Sequence, residues 1–327
     1  MADRARYDRT QLEKCFDRIC LPKTKRMYDV SVLSDDEKLA YLSLLHKHEL
    51  VKIPWENLTQ HYSWHRVVNV EPQHLFNKII SNPGRGGYCM EANSFFGTVL
   101  LSLGFHTYMA GARICKSKGV FGGWTHVVNL VKIGGTKYVL DGGFGPQESP
   151  KPLALQAGVV ETHIAPSQMR VVYQPIPQFV DQSQRIWIYQ HRRNETAEWA
   201  DMYCFTDMEF TTNDITSMNF SPWINPQSFF THKVVAVRFT TDRSSADEPG
   251  ADGEAELEGE VDGSLVLNQD VLKWRRKGEK VLEWTFKDDG ERVEALRKYF
   301  GIVLVREDLD AIKGTAAEVA AKGMDHD

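Results

Sequence analysis

Residues 122–145 read GGWTHVVNLVKIGGTKYVLDGGFG. Two β-rich runs flank Gly134-Gly135, a favoured two-residue hairpin turn. With that turn Ile133 faces Thr136, and counting outward sets Asp141 opposite Val128. Val128 shares a face with His126, two positions away. His126 and Asp141 therefore become diagonal cross-strand neighbours, about 7–8 Å apart at the backbone. An imidazole and a carboxylate close that gap with a hydrogen bond, which fixes the tautomer and stabilises the charged ring. Taken singly, His126 reads as a core histidine and Asp141 as a turn former. The shared face makes them a pair.

Around this hairpin the chain has a β-rich middle. HTYMAGARI (106–114), MRVVYQPI (169–176) and RIWIYQHR (185–192) are short strand-like runs punctuated by Gly or Pro, which predicts a small barrel or sheet. The part before it reads helical. DRTQLEKCFDRICLP (8–22) spaces Leu12, Cys15, Phe16, Ile19 and Cys20 along one face, with Pro22 as the stop. SDDEKLAYLSLLHKHEL (34–50) opens on an N-cap serine, Ser34, with acids in its first turn. EPQHLFNKII (71–80) is a further helix. The last, MEANSFFGTVLLSLGF (90–105), is capped by Gly104. From about Phe210 the strands HKVVAVRFT and GSLVLNQDVLKWRR precede the helices ERVEALRKYFG and REDLDAIKG. The expected organisation is α+β, with domains at 1–104, 105–209 and 210–327. Between Ser244 and Gly263 lie eight acidic residues and no basic one, which reads as a solvated loop between two strands rather than an interaction arm.

Upstream of the hairpin, RGGYCMEANSFF (85–96) sets Cys89 after Gly86-Gly87, at the start of an apolar helix. A helix N-terminus carries unsatisfied N–H groups and a partial positive charge, and both favour a thiolate. The glycines let the backbone turn and approach a substrate closely, and the Cys89 N–H is placed to help hold an oxyanion. With His126 and Asp141 downstream, the reading is a Cys–His–Asp triad.

The 327 residues are 42% hydrophobic and 25% charged, with net charge -5, which argues against a nucleic-acid or membrane-surface protein. No apolar run approaches the roughly 20 residues that span a bilayer. The five cysteines are scattered, without a CxxC, which points to a reducing cytoplasm rather than a disulfide framework. HYSWH at 61–65 has helical i,i+4 histidine spacing but no internal glutamate, so no metal is expected.

RGGYCMEAN, THVVNLV and YVLDGGFG, in that order and spacing, resemble the three signatures of the arylamine N-acetyltransferase family. IPWENL (53–58) resembles its IPFENL, FDRICLP its first helix, and FGIVLVREDLDAIKG the end of its last domain. The resemblance covers nearly the whole chain. It implies a helical first domain, a β-barrel second domain and an α/β lid, with the triad between the first two. It also implies double-displacement transfer: Cys89 takes the acyl group from an acyl-CoA co-substrate, and an arylamine, arylhydrazine or arylhydroxylamine takes it from Cys89. His126 moves the protons and Asp141 orients and charges His126. By the same resemblance Gly122, Gly123, Thr125 and Ser228 fall on the coenzyme A side, and Phe144 borders the acceptor pocket. Arg85, Glu91, Asn93, Trp55, Glu56 and Asn57 are structural supports.

One departure stands out. Where the family usually carries a serine–threonine pair, SPWINPQSFF (221–230) has Trp223 and Ile224. The donor is acetyl-CoA, or malonyl-CoA as in some fungal members, for whose free carboxylate Arg113 is a candidate partner. A thiol hydrolase is the rival class of enzyme, because the same triad serves there.

Overall fold

The computed structural model describes residues 4–245 and 253–320. Helices and two antiparallel sheets make an α+β fold. Helix α1 (Arg9–Arg18) opens on a reciprocal cap: Asp8 accepts from the Gln11 N–H at 2.8 Å and Gln11 accepts from the Asp8 N–H at 3.0 Å. Helix α2 (Asp35–Lys52) opens on Ser34, with Asp35, Asp36 and Glu37 in its first turn. Helices α3 (Pro72–Ser81) and α4 (Cys89–Ser102) follow, and Gly104 leaves α4 with φ +92°. Helix α1 ends earlier than its pattern predicts. Ile19 is its C-cap and Cys20 turns out at φ +51°, so Pro22 is not what stops it.

The middle of the chain folds into a nine-stranded sheet of half-barrel form. Its order is Leu153–Ala154, Thr136–Leu140, His126–Ile133, His106–Ser117, Ala200–Phe205, Ile186–Arg192, Gln168–Gln174 and Glu161–Thr162, with Val120–Phe121 paired to the long strand. The hairpin register is the expected one: Ile133 faces Thr136, and the pairing runs out to Asn129 opposite Leu140. Gly134 takes φ +57°, the sign a tight hairpin turn demands. The inner face is packed with Ala110, Val128, Leu130, Tyr189 and Phe205.

A second, five-stranded sheet joins the two ends of the molecule. Trp55–Glu56, from the helical part, pairs with Val235–Thr241, and Val261–Asn268, Val271–Arg276 and Glu279–Thr285 follow in order. The run 263–276 is thus a hairpin, turning at Gln269 with φ +57°. Leu265, Leu267 and Trp274 of this sheet pack on Leu296 and Phe300 of the helix Asp289–Phe300, and on Leu58 and Tyr62 from the helical part.

The acidic stretch departs from its reading as a solvated loop. Asp247, Glu248 and Asp252 lie outside the described residues, but Glu254–Leu257 form a short helix whose Glu256 is fully buried. Its carboxylate takes Lys52 Nζ at 2.6 Å, Arg238 Nη2 at 3.3 Å and the Ser244 hydroxyl. Charges from elsewhere in the sequence make burial of this acid possible.

Candidate active site

Cys89 is the first residue of α4 and lies in the cluster where the parts of the chain meet, among Tyr88, Met90, Val127, Phe210 and Phe230. The turn before it is fixed from beneath. Arg85 donates to Glu56 Oε1 at 2.9 Å and to Thr59 Oγ1 at 2.9 Å, and the Gly86 N–H donates to the same Glu56 oxygen at 3.2 Å. Burial alone would raise the Glu56 pKa, but Arg85 and Lys78 hold it down at about 2, so its charge persists. Glu91 accepts from the Tyr88 N–H at 3.2 Å and from Lys78 Nζ at 2.7 Å.

The expectation that Gly86 and Gly87 make room for a substrate is corrected here. A Cβ on Gly86 would stand 1.9 Å from the Pro54 carbonyl oxygen, and one on Gly87 2.5 Å from Glu91 Cβ. The space a side chain would fill is taken by the protein itself. Glycine is required so that the turn packs, not so that a ligand approaches.

Opposite Cys89, His126 begins its strand and Asp141 follows the end of the next. His126 Nε2 lies 2.7 Å from Asp141 Oδ2, both side chains only 1% exposed. The other carboxylate oxygen accepts from Asn93 Nδ2 at 2.8 Å and from the Gly143 N–H at 2.9 Å. Asn93 stands one turn along α4 from Cys89, and its Oδ1 accepts from the Gly142 N–H at 3.0 Å. One helix thus carries both the thiol and the residue that orients the acid. Burial pushes the His126 pKa down, but the adjacent Asp141 carboxylate, together with contact from Cys89, raises it to about 10. Burial likewise works against the Asp141 carboxylate, and the His126 charge overcomes it, leaving the acid below its ordinary value. The Cys89 thiol reaches the Thr125 carbonyl at 3.8 Å.

These groups open onto a cleft of about 280 Å³, lined by Cys89, His126, Thr125, Phe144 and Ser228, with Trp55 and Phe230 forming part of one wall. Phe144 stands edge-on to His126 at 5.8 Å between ring centroids. The cleft therefore gathers the expected nucleophile, histidine and aromatic wall, together with Thr125 and Ser228. Gly122 and Gly123 are not in that lining: the Gly122 N–H donates to the Ile114 carbonyl at 2.9 Å, and a Cβ on Gly123 would meet nothing within 4 Å. Trp223, in the last turn of the helix Thr212–Ile224, donates from Nε1 to the Arg66 carbonyl at 2.7 Å, while Ile224 is exposed. Arg113 is misplaced for a cleft residue. Ala112 pairs with His126, so Arg113 faces the other side of the sheet, and its guanidinium lies 4.1 Å over the Trp124 ring.

Sequence reasoning missed Gly143, Tyr203 and Lys116. A Cβ on Gly143 would fall 2.5 Å from Cys89 Cα; the second glycine after Asp141 was the available signal. Tyr203 packs on His126 and on Phe144, each at 5.1 Å, from a strand the pattern does not reveal. Lys116 lines the cleft, at the irregularity between Cys115 and Ser117 of the long strand. The Gly143 contact makes a prediction. Gly143→Ala should slow modification of Cys89 by an acyl donor at least about 10-fold, because displacements near 1 Å cost that much in positioned reactions. A stopped-flow rate within twofold of wild type would contradict it.

Among the described residues no helix is long and apolar enough to cross a membrane. The N-acetyltransferase family profile matches residues 38–246. An N-malonyltransferase of Fusarium pseudograminearum is 28% identical, covering 94% of this chain and 92% of its own. Arylamine N-acetyltransferase 2 of Mus musculus is 27% identical over 68% of this chain and 75% of its own. The solved arylamine N-acetyltransferase of Mycobacterium abscessus superposes with a TM-score of 0.74 at 20% identity, covering 94% and 95% of the two chains, and so shares the fold. The chain belongs to the arylamine N-acetyltransferase family, and it is an acyl-CoA-dependent acyltransferase.

Proposed function

We propose that the protein transfers an acetyl group from acetyl-CoA, through a thioester on Cys89, to the nitrogen of an arylamine, arylhydrazine or arylhydroxylamine. The observation that carries this reading is that Cys89 and His126 line one cleft, with Asp141 bonded to His126 and Asn93 to Asp141 behind them. The Cys89 sulfur attacks the thioester carbonyl as its proton passes to His126. Coenzyme A leaves with that proton as the free thiol. The amine then attacks the Cys89 thioester, gives a proton to His126, and the cysteine sulfur takes it back as the amide departs. Asp141 keeps His126 basic enough to hold the proton within each half, until the leaving sulfur takes it. Exchange of one thioester for another is nearly isoenergetic, so positioning and oxyanion donors supply most of the acceleration. In a cytoplasmic setting this chemistry serves to detoxify foreign aryl amines.

A malonyl donor is the second reading, and one finding favours it. The likeness to the Fusarium N-malonyltransferase spans 94% of the chain, against 68% for the mouse acetyltransferase. Initial rates with acetyl-CoA and malonyl-CoA against one aryl amine test both readings. Parallel double-reciprocal lines with either donor support transfer through Cys89, and the larger kcat/KM names the acyl group. Intersecting lines with both would remove the covalent route.

Lys116 bears on how the donor is held. It lies beyond Ala112, the partner of His126, at the irregularity between Cys115 and Ser117, and lines the same cleft as Cys89. A lysine ammonium on the cleft wall suits the phosphates of coenzyme A, which both donors share. Lys116→Met should raise KM for both acyl-CoA donors about 3- to 10-fold, leave kcat within twofold, and weaken the salt dependence of KM. A rise confined to malonyl-CoA would contradict this placement.

A further inference from the structure

Glu148 is buried, and it takes no part in the transfer chemistry. Its side chain folds back on the turn that follows Asp141. Oε2 accepts from the Phe144 N–H at 2.6 Å and from the Gly145 N–H at 3.0 Å. The two amides before these are also held by side chains, Gly142 by Asn93 Oδ1 at 3.0 Å and Gly143 by Asp141 Oδ1 at 2.9 Å. A turn with three glycines has few side chains to fix it by packing, so these hydrogen bonds set its course. Glu148 is itself anchored from outside. Its carbonyl oxygen accepts from His163 Nε2 at 2.8 Å, and the Gln147 carbonyl accepts from the Tyr189 hydroxyl at 2.8 Å. The turn delivers the Gly143 N–H to Asp141 and the Phe144 ring edge-on to His126. Movement here therefore reaches both His126 and its acid.

Three buried carboxyl groups meet at this turn. Asp141 is paired with His126 at 2.7 Å. Glu49 of α2 lies so close that a Cβ on Gly142 would stand 2.6 Å from each of its oxygens, and its Oε2 is 3.6 Å from His46 Nδ1. Among the described residues no cation stands against the Glu148 carboxyl. Burial, with the Asp141 and Glu49 carboxyls beside it, holds its pKa well above the usual carboxylate range. A protonated carboxyl keeps an oxygen that accepts both N–H bonds, and it adds no second anion next to Asp141.

We propose that Glu148 is a positioning residue for the Cys89–His126 pair, an uncharged acid whose Oε2 fixes the Gly143–Gly145 turn against His126. The proposal rests on the reading of His126 as the base for Cys89, and not on which donor or acceptor is used.

Wild type, Glu148→Gln and Glu148→Met, each as the full chain, test it. Glutamine keeps a carbonyl oxygen and carries no charge, whereas methionine has similar length and no oxygen. Melting curves, NMR titration of the His126 ring and the iodoacetamide alkylation rate of Cys89 near neutral pH, followed by peptide mapping, are compared. Glu148→Met should melt lower, because two buried N–H groups lose their acceptor. Well below that transition its Cys89 should react at least about fivefold more slowly, as a displaced His126 leaves less of the thiol ionised. Glu148→Gln should restore the rate to within twofold of wild type with the His126 titration unmoved. Loss of a buried negative charge would instead lower that titration. A lowered His126 pKa in Glu148→Gln, or a folded Glu148→Met protein that reacts at the wild-type rate, would overturn the proposal. Should Glu148→Met fail to fold, Glu148→Asp, which withdraws the acid from both N–H groups, takes its place under the same criteria. An absent acyl adduct on wild-type Cys89 would count against the transfer reading and leave these comparisons standing.

Discussion

Cys89→Ala is expected to lower acyl transfer at least about 10⁴-fold, since double displacement has no route without the covalent nucleophile. The protein should still fold. Cys89 is 3% exposed and sits at the first position of α4, where alanine is compatible with the helix and nearly fills the same volume. The turn that presents it rests on Glu56, Arg85, Lys78 and Glu91, none of which contacts the thiol through a hydrogen bond. The thermal midpoint should therefore stay within about 3 °C of wild type. Turnover and a melting curve on the same sample check both halves. A well-folded Cys89→Ala protein that retained a tenth of its activity would remove Cys89 from the reaction.

Asp141→Asn carries the second large effect, and the hydrogen bonds say why. Asp141 Oδ1 accepts from two donors, Asn93 Nδ2 at 2.8 Å and the Gly143 N–H at 2.9 Å. An asparagine must keep its carbonyl oxygen there, so its amide nitrogen points at His126 Nε2. That nitrogen must then accept, which moves the ring proton to Nδ1, the nitrogen left for the thiol. The histidine is then in the wrong tautomer to take the Cys89 proton. Acylation should fall about 10³- to 10⁴-fold, as for other triads with this exchange.

The pH dependence has a definite sign. In the wild type the His126 pKa rises to about 10 from 6.5, against the effect of burial and because of Asp141. The stabilisation from its charged form is complete below about pH 6.5 and disappears as the pH passes 10. In Asp141→Asn the charged ring should be lost below pH 6.5, which NMR titration of the His126 ring protons would show. An unchanged His126 titration in the variant would mean that Asp141 does not govern it.

The hairpin that places His126 and Asp141 was legible because everything that sets its register is local. Gly134-Gly135 fixes the turn, and alternation fixes the faces. The cap of α2 was legible for the same reason, since Ser34 acts within three residues of itself. What failed to show depends on distant partners. The helix Thr212–Ile224 is rich in Thr, Asn and Ser and contains Pro222, which reads as a break. It is set by the Thr211–Asp214 capping box and by Gln60, which donates to the carbonyls of Pro222 and Trp223. The strand Ala200–Phe205 carries an irregularity between Asp201 and Tyr203 that disturbs its alternation. With that strand unread, Tyr203 beside His126 was invisible. Glu256 was taken for a solvated acid because Lys52 and Arg238, its partners, lie far from it in sequence. The resemblance supplied what local pattern did not, including Ser228 on the far wall of the cleft.

Intact-protein mass spectrometry after mixing the full chain with acetyl-CoA or malonyl-CoA, in the absence of amine, tests the thioester on Cys89 most directly. The expected result is a gain of one acyl group, mapped to Cys89 by peptide sequencing, absent from Cys89→Ala and discharged when an aryl amine is added. No adduct with either donor, while amide product still forms when amine and donor are both present, would contradict transfer through Cys89.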